Sequence, residues 1–414
     1  MTSQSQAPQS AAQRALDIWN DGRYGAAIDT LVDACADGDM SAMGFILTLS
    51  GMPEAPADTR DKVRKALESA PAGPVRNRHL AYAIAAGFGA PADPRKALDM
   101  RCQDARDGDT QASVELSLLA HWAGLDTLAL AGLNAAAGKD EAHAIAALLR
   151  IAIANGDVLP NARTRTPALV KTGYPLSDFL AANTENLPVS SDVPSSEPTW
   201  GADIADQLAD WLESPLPEPD VLNEAPRLAQ QSGFLPAVVC DYLIANAAPH
   251  LRPAGIIDPT TGEARPDDYR KALTASLPDG AIDLVVWAIK DRMARLAGSQ
   301  FDKGEALSIL AYRPGDEYKA HFDFMTADGG VVARDLERRG QRVATSLVRL
   351  SDGFEGGATV FPRLDIRWDG KAGDAFVFNN VDETGAGDKQ TLHAGEPVQS
   401  GLKLMASLWL RERA

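Results

Sequence analysis

Tyr312-Arg313-Pro314-Gly315-Asp316-Glu317-Tyr318-Lys319-Ala320-His321-Phe322-Asp323 is the stretch from which the C-terminal half is read. Ser308 to Tyr312 alternates toward a strand, Arg313-Pro314-Gly315 turns, and Glu317 to Phe324 returns as a second strand. Strand side chains have period two, so His321 and Asp323 point to one face. A third donor, His393, follows seventy residues after Asp323. Two imidazoles and one carboxylate make the ligand set of a mononuclear iron(II) site, which takes three protein ligands on one face and leaves the opposite positions open. The chain has only six histidines, and two of them fall in this pattern.

Outward from that stretch the same texture continues. Arg342 to Leu350 reads as a strand, followed by a glycine turn and strand over Gly356-Gly357-Ala358-Thr359-Val360-Phe361-Pro362. Gly373 to Asn379, Leu392 to Pro397 and Leu402 to Leu410 complete the series. Many short strands with turn signals, and no helix of any length between them, predict a small all-β barrel or jelly roll. Met325 to Gln341, with Asp328-Gly329-Gly330 near its start, reads as a long loop beside the ligands and is expected to be a mobile substrate loop. Phe234 to Ala247 and Ile282 to Ala297 have helical spacing and are expected to buttress the β core.

From about Phe234 to the C-terminus these residues resemble the prolyl 4-hydroxylase branch of the 2-oxoglutarate- and iron(II)-dependent dioxygenases. Tyr312 to Asp323 looks like the family's Tyr-x-x-Gly-x-x-Tyr-x-x-His-x-Asp stretch, and Gly356 to Pro362 like its Gly-Gly-x-Thr-x-Phe-Pro stretch. His393-Ala394-Gly395-Glu396-Pro397-Val398, then Gly401, Lys403, Trp409 and Arg411, looks like its closing segment. The resemblance implies a double-stranded β-helix with His321, Asp323 and His393 on iron(II), and Lys403 paired with the distal carboxylate of 2-oxoglutarate. It also makes Tyr312 and Thr359 candidates to hydrogen-bond that cosubstrate, and sets Trp409 under the pocket. Dioxygen is the second cosubstrate, and ascorbate is a further candidate.

The implied activity is hydroxylation of a peptidyl prolyl residue in a protein substrate, with succinate and carbon dioxide as co-products. Two alternatives stand beside it: a hydroxylase of a free amino acid or other small molecule, and a non-catalytic protein-binding scaffold. By pattern alone Lys403 could be a solvent-facing strand lysine, and Tyr312 and Thr359 plain strand fillers. Arg252, Arg270 and Arg342 could line a substrate groove or be solvated surface residues, while His79, His121, His143 and His250 read as structural. Two positions depart from the family. Arg349-Leu350-Ser351-Asp352 stands where many members carry Tyr-Leu-Asn, and Glu396 stands where a cysteine is common.

The N-terminal half differs in composition. Ala11 to Asn155 is rich in alanine and leucine at helical spacing. Ala55-Pro56-Ala57-Asp58 and Ala90-Pro91-Ala92-Asp93 are identical and thirty-five residues apart; Gly38-Asp39 and Gly108-Asp109 recur at twice that period, and Lys139-Asp140 follows at thirty-one. A period in the mid-thirties with two helices per unit predicts a helical solenoid. His79 to Ala112 looks like the Sel1-like subtype of tetratricopeptide repeats. Such a module would recruit a protein partner or serve assembly. The expected organisation is therefore multidomain: a flexible N-terminus over 1–10, helical repeats over 11–155, a linker over 156–225, and the dioxygenase domain over 226–414. Within the linker, Ile204, Leu208, Trp211 and Leu212 share one face of a short amphipathic helix, and Trp211 is expected to dock onto a domain.

At 414 residues the chain is long enough for two cores, and a formal net charge of -17 disfavours a general nucleic-acid role. Three cysteines, Cys35, Cys102 and Cys240, are scattered and odd in number. They give neither a disulfide framework nor a zinc spacing, which suits a reducing cytoplasm. With a polar N-terminus and no stretch of transmembrane length, the expectation is a soluble cytoplasmic protein with no membrane partner; the oligomeric state stays open.

Overall fold

A computed structural model describes residues 9–194, 197–257, 264–266, 269–326 and 330–414. Most of the expected flexible N-terminus therefore lies outside the described residues. Helices occupy the N-terminal half from Ala11 to Glu213, and antiparallel sheet dominates from Asp220 onward.

The repeated dipeptides have a physical reason. Gly38 and Gly108 both take the left-handed backbone conformation, at φ 84° and 98°, that glycine adopts without steric cost. The aspartate after each then caps the next helix. Asp39 accepts from the amides of Ser41 and Ala42 at 2.9 and 3.2 Å, and Asp109 from those of Gln111 and Ala112 at the same two distances. Both cap geometries satisfy amide groups that have no partner inside the helix. The other repeat places Asp58 and Asp93 directly before helices Thr59–Ser69 and Pro94–Arg106, but only Asp93 makes a side-chain cap, to Lys96.

The chain divides into two compact units, and neither is a continuous stretch. The first comprises the chain up to Ala112 with Trp200–Ala209 and Pro278–Trp287. Its interior holds Ile28, Leu31, Ile46, Val63 and Leu67, and a fully buried Arg101 whose charge is met by Asp104 at 2.6 Å and Asp109 at 3.2 Å. The second comprises Ser113–Thr199, Asp210–Leu277 and Ala288–Ala414. Helix Ala142–Asn155, expected to end the repeat domain, belongs to this second unit, where Arg150 pairs with Asp241 of helix Ala237–Ala247 at 2.9 Å.

The segment expected as a linker, 156–225, carries helices Pro160–Lys171, Ser177–Thr184 and Ala202–Glu213. Its proline- and serine-rich composition hid the first two. Pro160 sits at the first position of a helix, where its missing N–H costs nothing. Trp211 docks as expected, with its ring 5.2 Å from that of Trp122.

In the second unit an eight-stranded antiparallel sheet runs in the order Asp220–Asn223, Leu228–Gln231, Ala375–Asn379, Arg342–Arg349, Lys403–Arg411, Leu307–Tyr312, Leu273–Leu277, Arg252–Pro253. A four-stranded sheet runs Ile366–Trp368, Thr359–Phe361, His393–Gly395, Tyr318–His321. Leu310, Tyr312, Phe376, Phe378 and Met405 from the larger sheet share one core with Phe361 and Trp368 from the smaller. The expectation of no helix of any length between these strands fails among the described residues. Gly330–Arg339 is a helix inside the segment expected to be a mobile loop, of which residues 327–329 lie outside the described residues.

Candidate metal centre and its pocket

The expected second strand is shorter than its pattern suggested. Tyr318–His321 ends at the first ligand, and Asp323 lies just beyond it. His393 opens its own strand and stands directly opposite His321 in the antiparallel register. Thus the seventy-residue separation closes to one cross-strand pair, with ring centroids 4.2 Å apart.

The ligand atoms of His321, Asp323 and His393 all lie within 4.8 Å of one another. Nε2 of His321 is 3.5 Å from Oδ1 of Asp323, and Nε2 of His393 is 3.7 Å from Oδ2. Each imidazole is oriented from behind: Nδ1 of His321 meets the Lys319 carbonyl at 2.8 Å, and Nδ1 of His393 the Thr391 carbonyl at 2.9 Å. A carbonyl only accepts, so each Nδ1 carries a proton and each Nε2 is the atom turned toward the carboxylate. Rings of Tyr318 and Phe361 stack on His321 and His393, at 3.5 and 5.3 Å between centroids.

Burial pushes His393 down to about 4, against the pull of Asp323, so it is neutral at neutral pH. Burial works against ionisation of Asp323, but His393, His321 and the Thr345 hydroxyl outweigh it and hold the carboxyl well below the ordinary range. The donor set fits a divalent cation: Nε2 of two imidazoles and one carboxylate, held ionised, converge on one point.

Lys403 begins its strand opposite Tyr312 and is 5% exposed. Its Nζ donates to the Gly357 carbonyl at 2.6 Å and lies 5.1 Å from the Tyr312 ring centroid. Among the described residues it has no carboxylate partner at ion-pair distance, and burial, with Arg349 nearby, pushes its ammonium down to about 8. The solvent-facing alternative for Lys403 is thereby excluded. Tyr312, Thr359, Lys403 and Trp409 line one pocket with the three candidate ligands. Tyr312 and Thr359 are each 6% exposed, and burial raises the Tyr312 phenol, keeping it a neutral hydroxyl.

Of the three arginines considered from sequence, Arg270 lines this pocket and lies 5.5 Å over the Tyr318 ring. Arg252 is exposed. Arg342 is engaged bidentately by Glu305, both contacts at 2.8 Å, and covers Trp409. The two departures sit off the pocket lining: Arg349 pairs with Asp352 and Asp369 and covers Phe354, and Glu396 pairs with Arg367. Sequence reasoning missed Thr345 and Asn380, which stand behind Asp323. A threonine inside one strand and an asparagine just past another are too ordinary to signal it.

Comparison with known proteins agrees with this geometry. The family model described as the 2OG-Fe(II) oxygenase superfamily matches residues 307–411. Prolyl 4-hydroxylase 1 of Arabidopsis thaliana is 33% identical over 211 residues, which cover 48% of this chain and 73% of the plant protein. This chain belongs to the prolyl 4-hydroxylase family. Prolyl 4-hydroxylase subunit alpha-1 of Homo sapiens is similar at 38% identity over 190 residues, 46% of this chain and 35% of the human subunit. Among solved structures, the viral collagen prolyl hydroxylase of Paramecium bursaria Chlorella virus-1, as its 2-oxoglutarate complex, is 28% identical over 44% of this chain and 95% of that one, with a TM-score of 0.35. Each of these matches spans less than half of this chain. The chain is an oxidoreductase of a family whose members use iron(II), 2-oxoglutarate and dioxygen. No helix among the described residues is long and apolar enough to cross a membrane.

Proposed function

We propose that this protein hydroxylates a peptidyl prolyl residue, with His321, Asp323 and His393 holding iron(II) and Lys403 holding the distal carboxylate of 2-oxoglutarate. One observation carries the reading: a buried ammonium with no carboxylate at ion-pair distance among the described residues shares a pocket with a pre-oriented two-histidine, one-carboxylate donor set. Iron(II) with 2-oxoglutarate and dioxygen supplies oxidative decarboxylation coupled to hydroxylation of a C–H bond, giving succinate and carbon dioxide. The protein's share is positional. The Lys319 and Thr391 carbonyls fix which nitrogen each histidine offers. Lys403 makes a charge-assisted hydrogen bond to a carboxylate in a site where water cannot compete. The Tyr312 and Thr359 hydroxyls are within the same pocket to orient the cosubstrate, and Trp409 excludes water from below.

The peptide as substrate rests on the prolyl 4-hydroxylase activity for which the relatives are named. We further read the two facing sheets as the double-stranded β-helix, and the N-terminal helices as Sel1-like repeats that recruit the protein substrate. All three cysteines are buried and free of disulfides, which suits a reducing cytoplasm.

Anaerobic addition of iron(II) and 2-oxoglutarate should give a weak charge-transfer absorption band, lost in His321→Ala and weakened in Lys403→Ala. Succinate formation should rise with a proline-containing peptide and not with free proline. No band from folded, metal-replete wild type would sink the oxygenase site; stimulation by the free amino acid alone would move the substrate to a small molecule.

A further inference from the structure

Asp323 belongs to a hydrogen-bonded chain that runs away from the pocket. Thr345 Oγ1 lies 2.7 Å from Asp323 Oδ2, and Asn380 Nδ2 lies 2.9 Å from Thr345 Oγ1. Their order of donation is fixed by chemistry. An ionised carboxylate only accepts, so the single hydroxyl proton of Thr345 is given to Asp323; Thr345 must then accept, and the amide of Asn380 must present its N–H. The chain is sealed from water, with Thr345 1% and Asn380 0% exposed.

Asn380 reaches the metal site by a second route. Its amide donates to the Val343 carbonyl at 2.8 Å, on the strand that carries Thr345, and its carbonyl accepts the Asp388 amide at 2.9 Å. The Asp388 carbonyl accepts from the Thr391 hydroxyl at 2.7 Å, and the Thr391 carbonyl anchors Nδ1 of His393. One residue is therefore joined through its side chain to Asp323 and through its main chain to His393.

As a device for stability Asn380 is a poor choice. Its amide oxygen is buried and accepts no hydrogen bond among the described residues. An unmet buried acceptor is unfavourable, and an apolar residue of the same shape removes that cost.

We propose that Asn380, acting through Thr345, is a positioning residue that sets the separation and orientation of Asp323 and His393 for the metal. This rests on the reading that the triad holds iron(II). Partners of this kind behind metal ligands are typically worth ~10–100-fold in metal affinity.

The test uses full-length protein and cobalt(II) as a spectroscopic stand-in, with thermal melting of the metal-free protein alongside. Thr345→Val and Asn380→Leu keep the shape and remove the proton donors. Both should weaken cobalt(II) binding ~10–100-fold and alter its visible bands. Asn380→Leu should do so without lowering the melting temperature of the metal-free protein, whereas Thr345→Val leaves the Asn380 N–H buried and unmet and lowers it. Thr345→Ser should restore binding. Wild-type affinity and bands in either folded variant would overturn the proposal. So would unfolding of Asn380→Leu, which would make the residue structural. Wild type that binds cobalt(II) no better than His321→Ala is a different outcome, and removes the metal-site reading itself.

Discussion

Lys403 is the residue at which the site's electrostatics become measurable. The ordinary lysine value is 10.5, and burial lowers it to about 8 here. Between these two values the unfolded chain binds more protons than the folded one, so stability rises with pH across that window. Below pH ~8 the cost of the buried charge is present in full, on the order of 3 kcal/mol at 1.36 kcal/mol per unit. Removing the charge should relieve it. Lys403→Met is expected to stabilise the metal-free protein by up to ~3 kcal/mol in denaturant melts at pH 7, while abolishing 2-oxoglutarate binding. In the wild type, affinity for 2-oxoglutarate should fall by up to about tenfold per unit above pH ~8, as the ammonium is lost. Calorimetry showing constant affinity from about pH 7 to 9 would remove Lys403 from the cosubstrate site. The lysine was legible in sequence through its spacing from His393. Its burial was not, because alternation with Leu402 and Leu404 also describes a surface strand.

The helix Gly330–Arg339 shows what a charge network does for one element. Arg411 is 1% exposed and bonds Glu305 at 3.0 Å and Asp335, within the helix, at 2.8 Å. Glu305 also holds Arg342. Burial raises the Glu305 carboxyl, but Arg342 and Arg411 outweigh it and leave it below the ordinary range. Arg413 adds bonds to the carbonyls of Leu336 and Glu337. A helix held by the final strand is no free loop. Removing one member of a buried ion network typically costs ~3–5 kcal/mol because its partners are left uncompensated. Arg411→Ala should lose about that much stability and accelerate amide exchange across 330–339. Unchanged exchange there would show that the helix is held by other contacts. Part of the helix was readable: Arg338 and Arg339 fill the last turn and Gly340 follows with a left-handed backbone. Asp328-Gly329-Gly330 at its start outweighed those signals, since glycine runs favour loops over helix starts.

At the scale of the molecule, the ten residues Pro278–Trp287 decide how the protein can be cut. They follow the first strands of the β half in sequence but are built into the first compact unit. Gly280 meets helix Met40–Ser50 so closely that a Cβ there would lie 2.0 Å from the Gly44 carbonyl oxygen. Asp283, 1% exposed, pairs with Arg78 at 3.5 Å. A fragment starting at residue 156, the boundary suggested by composition, would expose Ile282, Leu284 and Val285, each at most 2% exposed in the whole chain. It would also lose helix Ala142–Asn155 with the Arg150–Asp241 pair. We expect that fragment to aggregate or to melt well below the full chain, in side-by-side thermal scans. Equal stability would mean that the C-terminal part folds without these partners.

The sequence by itself determined the donor types, the helical texture and repeats of the N-terminal half, the strands around the site in outline, and the family. These are read from short motifs, each about a dozen residues or fewer, in which backbone periodicity and residue type act locally, and the family from the order in which such motifs follow one another. Only the tertiary structure decided that His393 faces His321, that Thr345 and Asn380 stand behind Asp323, and that Arg411 holds a helix. Each of these is set by strand register or by side chains meeting across long separations, and one residue of register would turn every such side chain to the other face. The division into two discontinuous units was invisible for the same reason. Composition marks where a chain changes character, whereas a core is defined by which apolar faces close on each other.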